Sequence, residues 1–280
     1  MATDRFAESS KPINNTIGFI GTGNMGGALA RAAAKAVPAE NIYLYDCFAE
    51  KAEALAVALG CNVADLSGVA NCNYIFLGVK PQMMAELFTE LSPVLKNRND
   101  DFVLVSMAAG VEMCRIQERA GEKYPVIRIM PNMPVSVGAG MIEYDMTGNV
   151  TQDQLEGFLQ CMKFAGKLDH LSESLIDAGT SVAGCGPAFA FLFIEALTEG
   201  GIACGLTKEQ AELYAKQMLY GSAKLALESD MQPSELREAV CSPGGSTIEG
   251  IKTLWEKDFS KIVGSAVMAS YQRNQELGKK

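Results

Sequence analysis

Two glycine-rich stretches hold the residue types from which an anion site can be built without charged side chains. The upstream one is Gly21-Thr22-Gly23-Asn24-Met25-Gly26, inside IGFIGTGNMGG at 17–27; the downstream one is CSPGGSTIEG at 241–250. A chain that kinks at glycine and then opens a helix points several free backbone N–H groups in one direction, which suits a phosphate or a carboxylate. Upstream, the G-x-G-x-x-G spacing follows an apolar run and opens an alanine-rich one. Gly21 permits the tight turn, Gly23 lets a pyrophosphate reach the backbone, and Gly26 lets helix and strand pack closely. Asp46 follows about 20 residues on, at the end of the second apolar run, where a carboxylate contacts the adenosine ribose. This combination predicts a bound NADPH or NADH. A carboxylate at 46 accepts from the 2′-OH of NADH and repels a 2′-phosphate. No arginine follows it and Lys51 is the nearest cation, so the reading leans to NADH.

Acid–base residues are scarce. The chain has one histidine, His170, beside Asp169 at the expected junction of the two halves, where it reads as a linker or surface residue. Hydride transfer to a carbonyl usually recruits an acid to protonate the alkoxide. An imine nitrogen can arrive already protonated, and hydride addition then demands little beyond positioning. The composition of the site therefore favours a C=N substrate. Val79-Lys80-Pro81 ends one apolar run, Ala108-Ala109-Gly110 another, and Asn132 stands between Pro131 and Pro134 after a third. Strand ends of this kind face the cofactor crevice of an open α/β sheet. Lys80 offers a cation there, the small residues offer backbone that can lie against a flat ring, and Asn132 offers an amide contact.

The elements that must position these residues alternate through the first two-thirds of the chain. Apolar, β-rich runs at 16–21, 41–46, 73–79, 101–107 and 125–130 are separated by helical patterns at 24–36, 49–59, 82–95 and 111–120. Continuous apolar strands between helices predict a parallel sheet covered on both faces, an α/β Rossmann-like doubly wound domain. No β-rich run is read beyond about 171. Helical patterns follow at 186–204, 208–228, 234–240, 246–255 and 259–276. The predicted layout is a polar tail at 1–12, a dinucleotide-binding domain at 13–170 and an all-α domain at 171–280 for substrate binding and dimerisation. PAFAFLFIEALTEGGIACGL (187–206) is apolar nearly all round and predicts burial between subunits.

Bulk properties narrow the partners. The 280 residues are 48% hydrophobic and 20% charged, with a net charge of −9 and no basic stripe, which excludes nucleic acid as a partner. The eight cysteines include no C-x-x-C pair, so free thiols in a reducing compartment are expected rather than disulfides or a metal site. The N-terminus lacks the layout of a signal peptide, and no run of about 18 apolar residues is read, so a cytoplasmic protein without a membrane span is expected.

In order along the chain, IGFIGTGNMGGALA, GVKP, MAAG, MPNMP, AGCGPAFAF and AVCSPGGSTIEGI resemble the motifs of Δ1-pyrroline-5-carboxylate reductases. The resemblance runs from residue 17 to beyond 254. It implies NAD(P)H-dependent reduction of (S)-1-pyrroline-5-carboxylate to L-proline, the last step of proline biosynthesis. It assigns the substrate carboxylate to Ser242, Gly244, Gly245, Ser246 and Thr247, with Thr247 also near the ring nitrogen. Thr247 and Lys80 become the candidate catalytic residues. It further implies a homodimer through intertwined helical domains, in many members assembled into a decamer. Two departures stand out: Cys185 occupies a position often held by serine, and Asp46 one that is often neutral or basic in members favouring NADPH. A related imine or hydroxy-acid reductase shares the two-domain plan. Its hydroxy-acid branch would show lysine or histidine at the start of the helical half, where LIDAGTSVAGCGPAF has neither. A non-catalytic dinucleotide sensor is the other alternative, and it would have no use for the SPGGST turn.

Overall fold

The computed structural model describes residues 15–278; the polar tail at 1–12 lies outside them. Its sheet has eight strands: β1 (Ile17–Ile20), β2 (Ile42–Tyr45), β3 (Asn62–Val63), β4 (Tyr74–Leu77), β5 (Val103–Ser106), β6 (Val126–Pro131), β7 (Gly140–Met146) and β8 (Gly166–His170). Their order is β3-β2-β1-β4-β5-β6-β7-β8. Every pairing is parallel except β6 with β7. β1, β4, β5 and β6 are buried at every position, as apolar runs must be when helices cover both faces.

On one face lie α1 (Asn24–Ala33), α2 (Ala49–Leu59) and, further along the chain, α6 (Gln152–Met162); on the other lie α3 (Leu66–Ala70), α4 (Met84–Lys96) and α5 (Met113–Ala120). Phe19 of β1 stacks on Phe76 of β4 at 4.6 Å, and Phe158 of α6 closes over Phe76. α7 (Glu173–Gly179) continues through one π-helical turn, Thr180–Gly184, into α8 (Gly186–Ala203). α9 (Lys208–Glu228), α10 (Pro233–Val240), α11 (Ser246–Glu256) and α12 (Phe259–Gly278) complete the chain. It packs as two units, one of them Cys185–Ser270; the sheet unit runs to Gly184 and resumes at Tyr271.

Three strands were not expected. β3 is only two residues long, too short for a hydrophobic run. β7 and β8 carry Glu143, Asp145, Lys167, Asp169 and His170, charges that mask a strand at the end of a sheet where one side is wet. His170 therefore ends β8 rather than sitting in a linker, with Nε2 3.1 Å from Asp145 Oδ1. α6 also escaped the reading, although Thr151 and Gln154 form a capping box at its start.

A second difference concerns hydropathy. The continuous helical stretch Glu173–Ala203 is, by length and composition, apolar enough to cross a membrane. Interspersed glycine, threonine and glutamate hide this from a search for unbroken apolar runs. α8 buries only Thr198 within the chain, and Phe191 and Leu192 are exposed. All eight cysteines are free. Burial pushes the Cys72 thiol up to about 11 and that of Cys161 up to about 12.

Candidate functional site

The upstream glycine turn connects β1 to α1 where the strand order reverses direction, between β1 and its neighbours β2 and β4. Ligands of open α/β sheets bind at this switch point. Gly21 has φ +96°, and a Cβ there would meet the Gly78 carbonyl oxygen at 2.7 Å. A Cβ at Gly26 would collide with the Gly21 carbonyl oxygen, so α1 can sit this close only with glycine at 26. Nothing lies within 4 Å of a Cβ built at Gly23. That open space, beside the uncapped N-terminus of α1, fits a pyrophosphate. Asn24 and Met25 supply the first N–H groups of the helix.

Asp46 is fixed by the turn it faces. Its Oδ2 accepts from Thr22 N–H at 2.7 Å and from Thr22 Oγ1 at 3.1 Å, while Oδ1 accepts from Phe48 N–H at 3.0 Å. Burial pushes the Asp46 carboxyl upward; the hydrogen bonds from Phe48 and Thr22 outweigh it and hold the group below the usual carboxylate range. Asp46 is thus an anion that also braces the glycine turn. Thr22, buried between the two glycines, was missed by sequence reading. The signal for it was a hydroxyl inside the turn, able to reach the carboxylate at the end of the next strand.

Gly21, Gly23, Asp46, Val79 and Lys80 line one cavity of about 370 Å³, together with Lys51, whose Nζ lies 4.5 Å above the Phe48 ring. Pro81, Ala108, Ala109, Gly110 and Asn132 do not line it. They follow β4, β5 and β6 at the same carboxyl edge of the sheet. Asn132 is buried and its amide is used internally: Oδ1 accepts from Met141 N–H at 2.9 Å and Nδ2 donates to the Ala183 carbonyl at 3.0 Å. It braces the end of β6, a use that the amide contact read from the sequence did not include.

The downstream turn belongs to the helical unit. Gly244 has φ +71°, Gly245 N–H donates back to the Ser242 carbonyl at 3.0 Å, and α11 begins at Ser246. No side chain caps that helix, so the N–H groups of its first turn face outward without an intrahelical partner. Ser242, Gly244, Ser246 and Thr247 are exposed. The structure thus gathers Ser242, Gly244, Gly245, Ser246 and Thr247 into one kinked helix start with free donors.

A glycine turn at the switch point of a doubly wound sheet, joined to a helical unit, defines a dinucleotide-binding protein of the Rossmann type. Residues 16–110 match the family described as NADP oxidoreductase coenzyme F420-dependent, and residues 173–277 match pyrroline-5-carboxylate reductase dimerisation. The pyrroline-5-carboxylate reductase of Escherichia coli is 35% identical over 268 residues, 94% of this chain and 98% of the relative. The solved enzyme of Coxiella burnetii is 31% identical with a TM-score of 0.87, covering 95% of this chain and 99% of that one. A Plasmodium falciparum pyrroline carboxylate reductase, solved with NADP bound, is 28% identical with a TM-score of 0.85, covering 96% of this chain and 100% of that one. The chain belongs to the pyrroline-5-carboxylate reductase family.

Proposed function

We propose that this protein reduces (S)-1-pyrroline-5-carboxylate to L-proline with NADPH or NADH, and that the 242–247 turn receives the substrate carboxylate. The observation that carries the site assignment is the uncapped start of α11 behind a left-handed glycine, in a chain whose family acts on a carboxylate-bearing imine. Free N–H groups and the positive end of the helix dipole attract such an anion without a charged side chain. The Ser242, Ser246 and Thr247 hydroxyls add further donors.

The bound dinucleotide supplies hydride. The chain's own residues do the rest: Gly23 and the start of α1 seat the pyrophosphate, and Asp46 faces the ribose. Val79, Lys80, Pro81 and the 108–110 backbone, which follow β4 and β5 at the same sheet edge, would hold its nicotinamide end, with Lys80 supplying a cation there. Thr247 Oγ1 orients the ring nitrogen. As the imine carbon accepts hydride, the C=N electron pair moves to nitrogen and a protonated imine becomes a neutral amine. No acid is then needed at the moment of transfer, which agrees with the absence of a histidine from either turn.

The helical unit works as a homo-oligomer, a dimer assembled further into a decamer. Support comes from the dimerisation match over 173–277 and from the exposed apolar side chains of α8 and α9. The free thiols and the acidic surface suit a cytoplasmic location. The test is loss of dinucleotide absorbance with pyrroline-5-carboxylate. Thr247→Ala should lower kcat/KM for the imine by about ten- to a hundredfold, the worth of a hydrogen bond to a charged group, while dinucleotide affinity stays unchanged. Normal imine kinetics with weakened dinucleotide binding would move the turn to the cofactor and overturn the assignment.

A further inference from the structure

Two carboxylate caps run in series behind the 108–112 segment. Asp145 of β7 accepts from the backbone N–H of Glu173 at 2.6 Å, in the first turn of α7. Glu173 in turn accepts from the backbone N–H of Met113 at 2.7 Å, at the first residue of α5. Glu112 occupies the N-cap of α5 and makes no side-chain cap, so the carboxylate that satisfies this helix start comes from sixty residues further along the chain. Arg128 of β6 fixes that carboxylate from beneath. Its side chain is 4% exposed, with Nη1 3.1 Å from Glu173 Oε1 and Nη2 3.8 Å from Asp177 Oδ1.

A buried ion pair adds little net stability over an apolar pair of equal volume. What this one supplies is geometry. Glu173 Oε1 touches both Arg128 and Met113, so the position of the arginine sets the position of the α5 start. The residues immediately before that start are Ala108-Ala109-Gly110-Val111-Glu112.

We infer that Glu173, oriented by Arg128, is a positioning residue that sets where the 108–112 backbone meets the dinucleotide. This rests on the proposed placement of that segment in the cofactor site. Two conservative variants of the full chain separate positioning from simple charge pairing. Glu173→Asp keeps the charge beside Arg128 and withdraws the oxygen from Met113. Glu173→Gln loses the charge and keeps a carbonyl oxygen at the same reach. Fluorescence titration should show NADH and NADPH weakened alike by Glu173→Asp, about tenfold for one lost charged hydrogen bond. Glu173→Gln should restore most of that affinity, and exchange of the Met113 amide, followed by NMR, should accelerate in the aspartate variant only. The reverse order, with glutamine worse than aspartate, would make the pair merely structural and overturn the inference. Unchanged dinucleotide affinity in Glu173→Asp, alongside clear loss in Gly23→Val, would also sink it while leaving the dinucleotide site in place. A wild-type chain that binds neither dinucleotide would instead refute the proposed function on which the inference stands.

Discussion

The two glycine turns use the same donors, and one chain finishes only the first of them. Around Gly21–Gly26 the chain supplies a frame that leaves only Gly23 open: β2 accepts from the Gly21 N–H, the Gly78 backbone closes against Gly21, and Asp46 holds Thr22. The 242–247 turn has no such frame. Gly244 stands in open space, α11 has no cap, and its hydroxyls face solvent. The units around them differ in the same way. The sheet unit buries large apolar side chains on both faces, whereas α10, α11 and α12 bury no residue at all within one chain. A site can be preorganised only as far as its own scaffold is packed. The upstream turn is framed by its own chain; the downstream turn, proposed for the substrate, has no such frame within one chain.

The largest expected effect tests that difference at Leu192, 64% exposed in the single chain. If the single chain were the working form, Leu192→Asp would be a near-neutral surface change. On a covered interface it places an unpaired charge among apolar groups, at a cost of several kcal/mol. Analytical ultracentrifugation should show dissociated chains with little reductase activity, while dinucleotide binding survives. An intact, fully active oligomer would break the comparison.

Gly23→Val probes the prebuilt turn. A Cβ there meets nothing, so the melting temperature should barely change. The side chain would occupy the space for the pyrophosphate, and Kd for both dinucleotides should rise about a hundredfold, ~2.7 kcal/mol. A fall in stability without a fall in affinity would place the phosphates elsewhere.

The smallest effect belongs to Asp46→Ser. Removing the charge should shift the ratio of kcat/KM towards NADPH by about tenfold, ~1.4 kcal/mol. Because Thr22 loses its main acceptor, affinity for NADH should also weaken. An unchanged ratio would reduce Asp46 to a brace. The same pair of proteins has a pH signature. The Asp46 carboxyl is held below its ordinary value, so its stabilisation is full above the unfolded-state pKa of about 3.9 and is lost as pH falls through the lower folded value. The gap in melting temperature between wild type and Asp46→Ser should close in acid.

Much of the parallel sheet was legible because β1, β4, β5 and β6 are buried on both faces, so their sequences are apolar almost throughout, with Ser106 and Arg128 the polar residues among them. β7 was illegible for the opposite reason. Its Glu143 lies buried beside Gly179 of α7 and its Asp145 accepts from the start of that helix, and charge at alternate positions conceals the apolar set. The glycine turns could be read because glycine spacing encodes backbone geometry directly. Asn132 could be placed at the carboxyl edge of the sheet, since it follows a strand, but its engagement with Met141 and Ala183 depends on contacts across the fold that no local pattern carries. Glu173 was invisible as a partner of Met113 for the same reason.

The return of α12 to the sheet unit affects the order in which the molecule is finished. Asn274 Nδ2 donates to the Asp177 carbonyl and to Ser181 Oγ, and Gln275 Nε2 donates to Asp177 Oδ2 at 2.8 Å. These donors are made nearly a hundred residues after their acceptors. Domains generally fold as they emerge, N-terminal first. Here the sheet can form early, but it stays open at α7 until the whole helical unit has been synthesised. Completion of the first unit therefore waits for α12, and a ribosome stalled within α12 would hold a chain with a formed glycine turn and an unclosed edge.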